Sequence, residues 1–94
     1  MTTHLPELDY AFSGPLESNG TYPIYVTVPR SKDILGTGKA VKVGGTIDDH
    51  PFQATLMPSG DGAHWLPLRI AIRRAIGKNS AGEPVAVHLT QRFS

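Results

Sequence analysis

The stretch Lys39–Gly77, KAVKVGGTIDDHPFQATLMPSGDGAHWLPLRIAIRRAIG, decides the fold. Val41-Lys42-Val43 alternates apolar and polar, as a half-buried strand does, before meeting Gly44-Gly45. Two adjacent glycines inside a strand mark a bulge or a sharply coiled barrel strand. Thr46-Ile47 continues to Asp48-Asp49-His50-Pro51, a hairpin turn in which aspartate tolerates unusual φ. The chain returns with Phe52, Ala54 and Leu56 on one face. Met57–Gly62 is a glycine loop, and His64–Pro67 is a short extended run. Over Leu68–Ile76 the apolar positions Leu68, Ala71, Ile72, Ala75 and Ile76 form a helical stripe, with Arg69 and Arg73 four apart on the other side. Leu66, Leu68, Ile70 and Ile72 would also alternate as a strand; helix is the favoured reading, with Gly77 as its C-cap.

Working outward, Lys78–Glu83 is a loop, and Pro84–Thr90 a closing strand with Val85, Val87 and Leu89 inward. Upstream, Met1–Glu7 is a frayed lead-in, and Asp9–Glu17 an edge strand bent at Gly14-Pro15. Ser18-Asn19-Gly20 is a turn. Tyr22–Val28 is a strand with Tyr22, Ile24, Val26 and Val28 inward and Tyr25 and Thr27 outward. Pro29 pre-sets φ for a helical turn over Arg30–Leu35, closed by Gly36 and Gly38. The expected fold is mainly β: a small closed barrel of about six or seven strands, one short helix near 68–77 and a helical turn near 30–35. It occupies residues 1–94 as a single domain.

Ninety-four residues suit one compact unit. Hydrophobic content of 39% and charged content of 18% are globular values. A net charge of +1 is too balanced to imply nucleic acid or anionic lipid. The absence of cysteine excludes disulfides and thiolate chemistry within the chain. MTTHLPELDY lacks the features of a secretory signal, and no apolar run approaches the roughly 20 residues of a membrane helix. A soluble, cytoplasmic protein is therefore expected.

Val41-x-Val43-x-Gly45-Thr46-Ile47-Asp48-x-x-Pro51-Phe52-x-x-Thr55-Leu56-x-Pro58-x-Gly60-x-Gly62-x-His64, then Leu66-Pro67 and Arg73-x-Ala75-Ile76-Gly77, resembles the bacterial domain of unknown function 1905 family. Val26-x-Val28-Pro29 and Ile34-x-Gly36 fit as well, so the likeness covers nearly the whole chain. The resemblance implies a double-split β-barrel, related in architecture to dimeric DNA-binding proteins of the AbrB and MazE type. The resemblance also implies that members are often fused to a domain resembling OmpD-associated proteins, and no such second domain is expected within these residues. Asp49 stands where the family usually has a turn glycine, and Glu83-Pro84 where it usually reads Gly-Asp-x-Val.

Several residues are candidates for chemistry. His50, at a hairpin tip between Asp48, Asp49 and Pro51, could transfer a proton; the plain alternative is a solvated turn histidine. His64 and Trp65 follow the Gly60-x-Gly62 loop and could form a ligand wall; the favoured reading is a core tryptophan and a histidine hydrogen-bonded to a neighbouring strand. That loop lacks the Lys-Ser/Thr of a P-loop and the spacing of a dinucleotide fingerprint, so no cofactor is expected. No His-x-His or His-x-x-x-His spacing occurs, and no metal site is expected. Arg69, Arg73, Arg74 and Lys78 form one basic cluster, with Arg30 and Lys32, and Lys39 and Lys42, as lesser ones.

These features support three functions. The first is a binding module for a small ligand or protein partner, using Trp65, Arg30, Arg69 and Arg73, with a homodimer through a strand edge or swapped hairpin as one form of partner. The second is a cofactor-free isomerase, cyclase or lyase with His50 or His64 as base and Tyr25 as hydrogen-bond donor. The third is AbrB-like DNA binding.

Overall fold

The computed structural model describes residues 7–18 and 24–93. The lead-in before Glu7, the Asn19-Gly20 part of the turn and Tyr22 lie outside the described residues. The elements are β1 Glu7–Pro15, β2 Tyr25–Val28, α1 Ser31–Leu35, β3 Val41–Ile47, β4 His50–Pro58, β5 His64–Pro67, α2 Ile70–Ile76 and β6 Pro84–Arg92. The strands form one six-stranded sheet in the order β1-β6-β3-β4-β5-β2, every pair antiparallel. A single bridge between Glu17 and Tyr25 brings its two ends together, which makes it a nearly closed barrel.

The centre of the sheet follows from two backbone requirements. Asp48 (φ 47) and Asp49 (φ 67) are both left-handed, so they form a two-residue hairpin turn whose twist matches the flanking strands. His50 pairs directly with Ile47 and is the first residue of β4; the tip itself is Asp48-Asp49. At Gly44 and Gly45 the β3–β6 register shifts, confirming the bulge. A Cβ on Gly45 would lie 1.9 Å from the His88 carbonyl oxygen, so only glycine lets β6 approach there.

Alternation then fills the interior. Val41, Val43, Ile47, Phe52, Leu56, Val85, Val87 and Leu89 are all buried, as their spacing requires. Two expectations change. Tyr25 does lie on the face opposite Val26, yet it is only 7% exposed, because the Trp65 ring packs on it with centroids 5.2 Å apart. Helix α2 is shorter than the 68–77 stripe suggests and buries no residue fully. Leu68, just before it, is buried, while only Ile72 and Ile76 pack against the core and Ala71 and Ala75 face solvent. A seven-residue helix leaning on β4 presents one narrow edge to the interior, not a full stripe.

Prolines explain why the barrel stays open at two seams. β4 pairs β5 only at Met57–Trp65 and Pro58–His64. The next hydrogen-bonding position would set Thr55 against Pro67, which has no N–H to give. The chain leaves the sheet there and α2 covers the opening beside β4. Similarly, extending the Glu17–Tyr25 bridge would oppose Pro15 to Thr27 and Ser13 to Pro29, and the β1–β2 ladder stops. Side chains span this second seam: Tyr10 Oη donates to the Pro29 carbonyl at 2.7 Å, and Thr27 Oγ1 to Glu17 Oε2 at 2.6 Å.

Gly45→Ala is expected to lower unfolding free energy by about 2 kcal/mol or more, since the methyl has to displace backbone. Gly38→Ala, in open space, should stay within about 0.5 kcal/mol of wild type. Urea denaturation of the two variants checks the contrast.

Candidate functional site

His64 points inward from β5 and is fully buried, as is Ser31 at the start of α1. Its Nε2 lies 2.7 Å from the Lys39 carbonyl oxygen and its Nδ1 lies 2.7 Å from Ser31 Oγ. A carbonyl only accepts, so Nε2 carries a proton, and in the neutral ring Nδ1 accepts from the Ser31 hydroxyl. Both nitrogens are thereby occupied, and the imidazole clips α1 and the approach to β3 onto β5. Sequence reading singled out His64 but not Ser31; the partners are 33 residues apart and no local spacing marks them.

The remaining candidates do not converge on His64. Tyr25 and Trp65 contact each other on the outer face of the β2–β5 pair, whereas His64 faces inward. His50 is half-buried at the start of β4. Its neighbour Asp48 turns elsewhere: Oδ2 lies 2.6 Å from Lys78 Nζ and Oδ1 accepts the Ala86 amide at 2.8 Å. Burial opposes ionisation of Asp48, but hydrogen bonds from Lys78 and the Ala86 amide, with the Lys78 charge, outweigh it and hold the carboxyl below its ordinary 3.8. Lys78 also donates to the Pro84 carbonyl, so its ammonium is paired although it borders the same concavity as Arg73 and Arg74. Arg30 is exposed, left-handed (φ 56), and sits at the N-cap of α1.

Arginines and exposed apolar groups meet around α2. Arg73 is half-buried and donates from Nη1 to Asn79 Oδ1 at 2.6 Å. Arg73, Arg74, Ile70 and Asn79 border a shallow concavity of about 380 Å³. A second, of about 220 Å³, lies between Arg69, Lys42, Gln53 and Phe93. Ile70 and Phe93, 56% and 49% exposed, are the exposed large hydrophobic residues among those described. Among the described residues no aspartate or glutamate lines either concavity. Ile70 and Phe93 were not singled out by sequence reading, because their exposure follows from how α2 and the end of β6 leave the sheet.

The larger concavity, of about 560 Å³, lies over β1, β6 and the β3–β4 hairpin and is bordered by Ser13, Thr46, Asp48 and His88. His88 Nε2 is 2.7 Å from Asp9 Oδ1, a pairing across 79 residues. Among the described residues no group of three or more His, Asp or Glu side chains could hold a metal. Nor is any described helix long and apolar enough to cross a membrane.

Fold and surface define a small antiparallel barrel with a buried histidine clip and an open basic face. The chain belongs to the family described as domain of unknown function (DUF1905), whose model matches residues 12–89. No curated protein matches it.

Two outcomes follow from this geometry. Ser31→Ala should cost about 1–3 kcal/mol, since it strands a buried acceptor, and nitrogen-detected NMR should show His64 as the Nε2–H tautomer. Because the Asp48 carboxyl is depressed on folding, its contribution is complete above 3.8 and is lost as pH falls through its lower folded value. Asp48→Asn should reduce stability at neutral pH on the order of 0.5–1 kcal/mol and flatten its decline in acid, as read by thermal melts across pH.

Proposed function

We propose that this domain is a non-catalytic binding module whose α2 face takes an acidic protein segment carrying an apolar side chain. The observation that carries the reading is the composition around α2: Arg73 and Arg74 border one concavity with Ile70, Arg69 borders another with Phe93, and among the described residues no carboxylate lines either. Asp48 and Glu83 at the border of this face are engaged by Lys78 and by the Asn79 and Ser80 amides, which leaves the arginine charges to favour an anion where apolar surface is exposed. Arg73 supports an anchor role because Asn79 already restrains its guanidinium, which lowers the entropy lost on binding. Ile70 and Phe93 supply the desolvated centre that such contacts need.

A catalytic reading draws less support. His64 is enclosed with both nitrogens occupied, and Tyr25 lies on the opposite face of its strand pair. The geometry offers no shared space in which a substrate would touch both.

NMR titration with a short Glu/Asp-rich peptide containing leucine or phenylalanine tests the proposal. Shifts should concentrate at Ile70, Arg73, Arg74 and Phe93, and Arg73→Glu with Arg74→Glu should weaken binding about tenfold or more. Absence of shifts at this face, or preferential binding of duplex DNA at low salt, would overturn it.

A further inference from the structure

Arg73 Nε is buried, and among the described residues it is the buried side-chain nitrogen or oxygen that no hydrogen bond satisfies. A donor left in that state is costly in a folded protein, and it invites an acceptor from outside the chain. The rest of the guanidinium is accounted for. Nη1 donates to Asn79 Oδ1 at 2.6 Å, while Nη2 is neither buried nor bonded. In a planar guanidinium Nε–H and one Nη2–H point the same way from a shared edge, and this is the edge that Arg73 leaves unbonded.

Arg73, Arg74 and Ile70 border the concavity of about 380 Å³ at α2, and Ile70, three residues before Arg73, lies on the same side of the helix. Building on the binding role proposed for this face, we infer that Arg73 takes a carboxylate of the acidic segment side-on, one oxygen on Nη2 and the other on Nε. The ligand meets Nη2 first. A small turn about the soft terminal torsion of arginine then brings Nε–H onto the second oxygen. Asn79 is a positioning residue: its bond to Nη1 gives that turn a fixed pivot, so the side chain is not free to leave the concavity.

The neighbouring donors set the class of anion. A phosphoryl group brings about two negative charges and three acceptor oxygens, more than one guanidinium edge can satisfy. Apart from Arg74 at the rim, the donors beside Arg73 are committed. The Asn79 and Ser80 amides bond Glu83 Oε2 at 2.9 and 2.8 Å, and Lys78 bonds Asp48 and the Pro84 carbonyl. Glu83 also adds a negative charge there, which disfavours a dianion more than a monoanion. A planar carboxylate needs only the two parallel N–H groups of Arg73, and Ile70, 56% exposed, offers apolar surface to the side chain next to it.

Side-chain NMR of the arginines in the whole chain tests the inference, with capped short peptides that place glutamate, glutamine or phosphoserine beside a leucine. On adding the glutamate peptide, the Arg73 Nε–H resonance should move downfield and its exchange with water should slow. Arg73→Lys keeps the charge but has no guanidinium edge, and should weaken binding of that peptide about tenfold. Arg74→Lys should leave it within about twofold. The glutamine peptide should bind about tenfold more weakly than the glutamate one, and the phosphoserine peptide no more tightly. An Arg73→Lys variant that binds as wild type does, an Nε–H resonance that stays unmoved at saturation, or a preference for phosphoserine would each overturn the side-on carboxylate; shifts persisting at Ile70 and Phe93 would still leave this face a binding surface. Absence of any shift at Ile70, Arg73, Arg74 and Phe93 would overturn the binding role and the side-on carboxylate together.

Discussion

The close approach of β6 to β3 at Gly45 is the constraint on which the barrel depends. A strand that pairs on both sides must coil strongly to bring its neighbours round an interior, and the bulge at Gly44-Gly45 supplies that coil. The missing Cβ at Gly45 admits the His88 carbonyl; Gly44 is packed under Gln91 and Phe93. Once β3 is set between β4 and β6, the inward rows of all three strands converge. Val43, Ile47, Leu56, Val87 and Leu89 are then almost wholly removed from water, each such side chain worth about 1.5–3 kcal/mol in transfer.

Polar groups divide between stabilising the fold and facing solvent. His64 and Ser31 spend both their hydrogen-bonding capacities inside, where an unpaired nitrogen would be costly. Their network joins three segments that the strand ladders do not connect. At the surface, Asp48 performs a similar task by drawing Lys78 and the Ala86 amide onto the hairpin tip. Asp61 and Glu83 organise their loops by accepting local donors, Ser59 and Ala63 for the first and the Asn79 and Ser80 amides for the second. Among the described residues the arginines of α2 make no ion pair with an acid, which sets them apart.

Much of this was legible in residue order, and the parts that were not share a cause. The hairpin, the bulge, the inward rows of β3, β4 and β6, and Gly77 as a left-handed cap all follow from local periodicity and backbone conformation. Tyr25 was read as outward-facing; it faces outward, but Trp65 covers it, and a ring contact between separate strands leaves no trace in spacing. The α2 stripe overstated burial because amphipathic spacing reports which face could pack, not how much of the barrel lies beneath it. Lys78 stays beside Arg73 and Arg74, but its charge is paired by a carboxylate from a hairpin thirty residues away in sequence, which spacing does not show.

By itself, then, the sequence determined the elements and the family, because φ preferences, proline's missing N–H and alternation of apolar residues act over a few neighbouring positions. Tertiary structure alone decided which histidine is enclosed, which cations are neutralised and which apolar residues stay in water. Those outcomes depend on pairings between groups far apart along the chain, such as Ser31 with His64 and Asp9 with His88, and such pairings exist only once the barrel has brought them within hydrogen-bonding range.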